Sequence, residues 1–326
     1  MKENTKIQNF ENQNSKTKPK LYSTKQLAQT SLDLLLSAGY EITMRSPDAP
    51  LAQGDDLKQI IESHDVIVIK LYQKVTEDML SVISPESKKV IVTLSAGIDH
   101  IAKPFFSNPN VTIINAPGAN AVSVAEHIFA FILNLKKRIS EGNTLVMEGQ
   151  GHINNMSFLG NEISGKTLGL IGAGAITREV ARMASAFGLK ILCHTKDEHL
   201  FGYMLDFGAT FVDLDTLLKQ SDIVNILVPL LPATRHMINE KNIPLMKTDA
   251  TFVNAARTDV VDTRALIAYA DKHPNFKVGL DIDINEFAEL LSTPRHNVIV
   301  TPHTAGLTVE SKMHIENMVI KSILKA

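Results

Sequence analysis

Five apolar runs in the second half of this 326-residue chain each end in a residue able to hold a cofactor or do chemistry. KTLGLIGAG runs into Gly172 and Gly174, DIVNILVP into Pro229, ATFVNAAR into Ala255 and Arg257, FKVGLDID into Asp281, and NVIVTPH into His303. Glu286 falls between the last two. The glycine pair has the spacing of a pyrophosphate-binding turn. Gly172 permits the tight turn, Gly174 lets the backbone approach a ligand, and the helix opening at Ala175 and Ile176 offers free amides and a dipole to an anion. Thr177 stands where the third glycine of that fingerprint would be, so the motif rests on its strand, turn and helix context. Arg257, Glu286 and His303 add a guanidinium, a carboxylate and an imidazole. Singly each is unremarkable; together on the ligand side of one sheet they form a candidate catalytic set.

The elements that must position these residues follow from the same runs. Short stretches rich in Val, Ile and Leu, separated by helix-length segments, predict buried strands of a parallel sheet with crossover helices. In open sheets of that kind ligands bind outside the carboxyl ends of the strands, where the strand order reverses. The helix after Gly174 is expected to face the sheet through Ile176, Val180, Met183, Ala184 and Phe187. From Lys20 to about Asn115, the segments KLYS, QLAQTSLDLLLSAG, YEITM, DLKQIIESH, DVIVIKLY, TEDMLSVI, KKVIVTLSAG and VTIINA alternate as strand and helix until two final strands. This predicts a first, smaller doubly wound unit. Residues 120–138, NAVSVAEHIFAFILNLKKR, are apolar almost all round and predict a buried helix joining the two units or supplying a dimer face. The polar stretch SEGNTLVMEGQGHINNMSFLGNEISG reads as a surface excursion, and LTVESKMHIENMVIKSILKA as one helix, with Val309, Met313, Ile315, Met318, Val319 and Ile323 at helical spacing.

Composition narrows the class. Apolar content of 44% and charged content of 21% are those of an ordinary globular chain, and a net charge of -2 gives no reason to expect nucleic acid or an anionic membrane as partner. No apolar stretch reaches the length of a membrane span and no signal peptide opens the chain, so a cytoplasmic protein is expected. The one cysteine, Cys193, allows no intrachain disulfide and reads as a small core residue. The eleven histidines lack the paired spacing of a zinc site, and no metal is expected. Residues 1–19 cannot repay their ordering entropy and read as a disordered tail.

The cofactor's adenosine end is ambiguous in the sequence. The acidic residue that grips a ribose diol at the end of the next strand is missing: LKILCH is followed by Thr195, Lys196 and Asp197. A hydroxyl and an ammonium suit a 2′-phosphate and so NADP. Asp197 or a backbone group reaching the ribose would instead suit NAD.

Seven motifs in order resemble the D-isomer-specific 2-hydroxyacid dehydrogenase family from about Lys20 to the end. They are LSAGIDHI, NAVSVAEH, GKTLGLIGAGAI, VPLLPATRHMIN, VNAARTDVVD, GLDIDINE and TPHTAG. The resemblance implies an α/β fold of two doubly wound parallel-sheet domains: a Rossmann-type NAD(P)-binding domain at 120–303 and a smaller flavodoxin-like substrate domain at 20–119 and 304–326. It implies hydride transfer between a nicotinamide cofactor and a small 2-oxo or D-2-hydroxy acid, in a homodimer. Arg257 would hold the substrate carboxylate or polarise the 2-oxo group, His303 would be the general acid, and Glu286 would orient His303 and favour its protonated form. The amides of Ala96 and Gly97 would bind the substrate carboxylate. Asp281 would contact the nicotinamide end, and Pro229 and Ala255 would line the cofactor cleft. The chain departs from the family at Thr177, Thr195, Thr258 and Phe287, the last bearing on substrate size. Oxidation of another small anion, formate or phosphite, is the second enzyme reading, and a dinucleotide-sensing, corepressor-like protein the reading of a different class.

Overall fold

The β-branched runs form two all-parallel sheets, as runs apolar on both faces must when helices cover them on both sides. The computed structural model describes residues 18–150, 158–283, 288 and 292–326. The first 17 residues of the expected tail, Glu286 and Phe287 lie outside the described residues. The chain divides into two compact units, Met1–Asn120 with Val309–Ala326, and Ala121–Thr308.

The first unit carries β1 (Lys20–Ser23), β2 (Glu41–Met44), β3 (Val66–Ile69), β4 (Lys89–Thr93) and β5 (Val111–Ile114), in the order β2-β1-β3-β4-β5. That is the flavodoxin-like order. On one face α1 (Gln29–Ser37) and the C-terminal helix pack over Leu21, Val66, Val68, Val90 and Val92. On the other, α2 (Gly54–Ser63), a 3-10 helix at Glu77–Val82 and the short α3 (Pro104–Ser107) cover Ile67, Ile69 and Ile91. Lys89, almost fully buried, caps α2 by donating to the carbonyls of Glu62 at 2.9 Å and His64 at 2.7 Å.

The second unit opens with α4 (Ala121–Lys137) and α5 (Ile139–Met147), then β6 (Thr167–Ile171), α6 (Ala175–Ala186), β7 (Lys190–His194), β8 (Ala209–Phe211), α7 (Leu214–Gln220) and β9 (Ile223–Ile226). It closes with β10 (Thr251–Asn254), α8 (Thr263–Lys272), β11 (Lys277–Asp281) and β12 (Val298–Thr301). The order β12-β11-β10-β9-β6-β7-β8 reverses between β6 and β9. This is the doubly wound dinucleotide-binding order with one added strand. Helices α4 and α6 cover one face and α7 and α8 the other.

Some expectations change. The segment read as a surface excursion begins with helix α5, which follows a left-handed residue, Arg138 at φ 57°. The Arg138 guanidinium grips Glu141 one turn on, and the Asn134 Oδ1 accepts the Ser140 amide at 2.8 Å. These capping contacts replace the apolar periodicity the sequence lacks. Helix α4 spends its apolar sides inside its own unit, against α6 and the sheet, which leaves Val122 exposed near its start. On α6 the buried positions are Thr177, Val180, Ala181 and Ala184, while Phe187 ends the helix exposed and stacked on Phe129. The last helix, α9 (Val309–Ile323), joins the first unit through Ile315, Val319, Ile320 and Ile323 and leaves Val309, Met313 and Met318 in solvent.

Candidate functional site

Strand register brings the second unit's candidate residues to one edge. Ile171 at the end of β6 pairs with His194 and Ile226, Ile226 with Asn254, Asn254 with Leu280, and Asp281 with Thr301. Gly172, Gly174, Ala175, Ile176, Thr195, Lys196, Pro229, Ala255, Arg257, Asp281 and His303 therefore all follow, or end, strands on the carboxyl side of one sheet. Ala96 and Gly97 follow β4 in the first unit.

The glycine turn fits a dinucleotide on its own geometry. Gly172 has φ +99°, and a Cβ there would lie 2.6 Å from the Leu227 carbonyl oxygen, so the fold itself requires glycine. Gly174 caps α6 in an extended conformation any residue adopts, and a Cβ there would meet no atom within 4 Å. The fold leaves that space open beside the first amides of α6, where a pyrophosphate would lie. Thr177 is fully buried, with its hydroxyl unpartnered among the described residues.

Tyr203 was missed from the sequence. It sits in the 3-10 segment Glu198–Phe207, and its hydroxyl donates to the carbonyl of Ala173 between the two glycines and, at 3.4 Å, to that of Gly174. The Arg178 guanidinium lies 5.6 Å over its ring. The only signal was an aromatic residue in the loop after β7. Thr195 is half-buried and Lys196 exposed directly after that strand. Cys193, in the strand itself, is buried, and burial pushes its thiol up to about 12.

Asn254 organises the arginine loop and was likewise missed. Fully buried at the end of β10, it accepts the Ala256 amide at 3.0 Å and donates to the Arg257 carbonyl at 2.9 Å. This side-chain turn leads the half-buried Arg257 out at the sheet edge, with Nη1 donating to the Ala256 carbonyl at 2.9 Å. Ala255 is buried beneath it, and Pro229 is exposed after β9.

Asp281, expected at the nicotinamide end, ends β11 on the same edge. Its side chain is buried, and its carboxylate accepts the Thr301 hydroxyl at 2.5 Å and the amides of Thr304 and Ala305, each at 2.7 Å. A carboxylate so engaged fixes the turn that carries His303. His303 is half-buried and left-handed, with φ 53°, and its amide donates to the Thr301 carbonyl at 3.0 Å.

In the first unit the loop after β4 has its carbonyls tied back. Ser95 O accepts the Ala116 amide at 3.0 Å, Ala96 O accepts Asn115 Nδ2 at 2.7 Å, and Gly97 O accepts the Ser95 hydroxyl at 2.6 Å. Thr93 Oγ1 bridges Ser95 at 2.8 Å and His100 Nε2 at 2.9 Å. The carbonyls of this loop are thus turned inward.

The family profile described as D-isomer specific 2-hydroxyacid dehydrogenase, NAD binding domain, matches residues 129–305. The chain is 34% identical over 281 residues to a hydroxypyruvate reductase of Thermotoga maritima, covering 84% of this chain and 88% of that one. A D-lactate dehydrogenase from Aquifex aeolicus, solved with NAD and lactic acid, superposes with TM-score 0.73 at 31% identity over 93% of this chain and 94% of the other. An acyclic imino acid reductase solved with NADPH and D-Arg gives TM-score 0.81 at 25% identity over 93% and 95%. The dinucleotide turn, the two parallel sheets and these likenesses agree: the chain belongs to the D-isomer-specific 2-hydroxyacid dehydrogenases, NAD(P)-dependent oxidoreductases of 2-hydroxy acids.

Proposed function

We propose that this enzyme interconverts a small 2-oxo acid, of the glyoxylate, hydroxypyruvate or pyruvate type, with its D-2-hydroxy acid, using NADH or NADPH. The observation that carries the reading is the gathering of the open Gly174 turn, Arg257 and the His303 turn at the carboxyl edge of one sheet. The Thermotoga and Aquifex relatives support the substrate class through the hydroxypyruvate and lactic acid in their names.

The bound nicotinamide supplies the hydride that reaches the 2-oxo carbon. His303 gives the proton to the carbonyl oxygen, and takes it back in the oxidative direction. Arg257 presents a planar fork of donors to the carbonyl oxygen or the carboxylate, and the Ala96 and Gly97 amides take the carboxylate. Glu286 orients His303 and favours its charged form. Gly172, Gly174, Ala175 and Ile176 hold the pyrophosphate, and Ala255 and Pro229 line the cofactor. Thr195 and Lys196 stand where a 2′-phosphate would be received, and Asp197 where a ribose diol would be. Asp281 serves as the support of the His303 turn.

We place the dimer face on the second unit's α5, where Ile139, Val146 and Met147 are exposed, with Leu159 beyond it. The low use of cysteine supports a cytoplasmic setting. Among the described residues no helix is long and apolar enough to cross a membrane.

The test is the oxidation rate of NADH and NADPH, in parallel, against 2-oxo acids from glyoxylate to phenylpyruvate. Turnover on the smaller acids, lost in Arg257→Lys and His303→Ala with cofactor binding retained, is the expected result. Cofactor binding without turnover on any 2-oxo acid would overturn the reading; reduction of NAD(P) by formate or phosphite in the same assay would replace it.

A further inference from the structure

The motif NAVSVAEH contributes two side chains whose contacts no role above uses. Ser123 and His127 lie one turn apart on the same face of α4. The Ser123 hydroxyl donates to the Ala305 carbonyl at 2.6 Å, and His127 Nε2 lies 3.0 Å from Thr301 Oγ1. These two partners stand two residues to either side of His303. A third residue on the same face explains how the helix comes so close. Phe131, four residues after His127, would lie 2.9 Å from a Cβ on Gly279 of β11. Only a glycine there lets α4 settle against the sheet, and Phe131 then meets the His127 ring edge-on, at 4.6 Å and 88°.

The proton on His127 can be assigned by counting donors. Asp281 Oδ1, a carboxylate oxygen, accepts both the Thr304 amide at 2.7 Å and the Thr301 hydroxyl at 2.5 Å. That hydroxyl has one proton and gives it to Asp281. Its oxygen can then only accept from His127, so the imidazole carries its hydrogen on Nε2.

We propose that Ser123 and His127 are positioning residues for the reaction: a helix-borne clamp that holds both flanks of the His303 turn, with His127 donating from Nε2 through Thr301 to Asp281. The proposal rests on the reading of His303 as the general acid. It assigns to α4 a share in holding the left-handed backbone that carries that imidazole.

Three variants and one spectrum test it. His127→Leu, which fills the space and cannot donate, is expected to lower kcat about tenfold or more, with the NADH dissociation constant and Tm near those of the parent. His127→Gln, which keeps a donor, is expected to recover most of the lost kcat, and Ser123→Ala to lower kcat in the same direction. In the parent enzyme, nitrogen NMR of labelled histidine should show His127 protonated at Nε2. Parent-like kcat in His127→Leu while His303→Ala is inactive would overturn the clamp and leave the acid role standing. Full turnover in His303→Ala would instead overturn the acid role. A bare Nε2 in the spectrum would overturn the clamp even if His127→Leu failed to fold.

Discussion

The Glu316 carboxylate accepts the hydroxyl of Ser31, 285 residues earlier, at 2.7 Å. The same oxygen takes the Ala28 amide at 2.7 Å, and the other pairs with Lys25 at 2.8 Å. The last helix is thereby fastened to the start of α1, and the bonds serve the first turn of that helix, which no side chain of its own caps.

Loss of this anchor should destabilise the first unit. Glu316→Ala is expected to cost about 2 kcal/mol, since it strands the Ser31 hydroxyl and the Ala28 amide, with a Tm lower by several degrees. Burial pushes the Glu316 pKa up, and the Lys25 pair with the Ala28 and Ser31 hydrogen bonds more than offsets this, leaving it below the usual glutamate value. A depressed carboxyl stabilises above its unfolded pKa, and that stability is lost as pH falls through the folded one. Thermal melts from pH 7 to pH 3 should show the gap between parent and Glu316→Gln narrowing toward acid. A gap that does not change with pH would contradict this account.

The two glycines of the turn should separate folding from binding. Gly172→Ala forces a Cβ into a left-handed residue against the Leu227 carbonyl, at about 2 kcal/mol of stability. A Cβ at Gly174 meets no atom within 4 Å, so the Tm of Gly174→Ala should stay near the parent's while NADH affinity falls more than about tenfold. Melting curves beside NADH fluorescence titrations read both quantities.

Tyr203→Phe removes the donor that holds the Ala173 carbonyl. The expected loss is about threefold to tenfold in NADH affinity, the worth of one neutral hydrogen bond, with kcat at saturating cofactor unchanged.

At the adenosine end, Lys196→Asp should move the kcat/KM ratio toward NADH and away from NADPH by about tenfold or more, because a carboxylate repels a 2′-phosphate and accepts a ribose diol. An unchanged ratio would place the 2′ group elsewhere.

Much of the molecule was written locally. The short Val and Ile runs specified buried parallel strands, because a strand covered on both faces must be apolar on both. Gly172 and Gly174 marked the turn between β6 and α6, and the placing of Arg257 and His303 at the sheet's carboxyl edge was legible because each follows such a run within three residues. Helix α5 was not legible, since its start depends on the left-handed Arg138 and on side-chain capping rather than on apolar spacing.

What the chain alone determined, then, is every strand but the short β8, the turn between β6 and α6, and the identity of the groups at the strand ends. Only the tertiary structure decided what those groups touch. Asp281 ends a strand, and only the packed structure shows that three donors some twenty residues later also meet its carboxylate. Tyr203 and Asn254 matter through a pair of hydrogen bonds each to carbonyls and amides, and Ser31 through a carboxylate near the far end of the chain. Periodicity records which face of an element is buried. It carries no record of which distant donor meets which acceptor, because that pairing is set by how the elements pack.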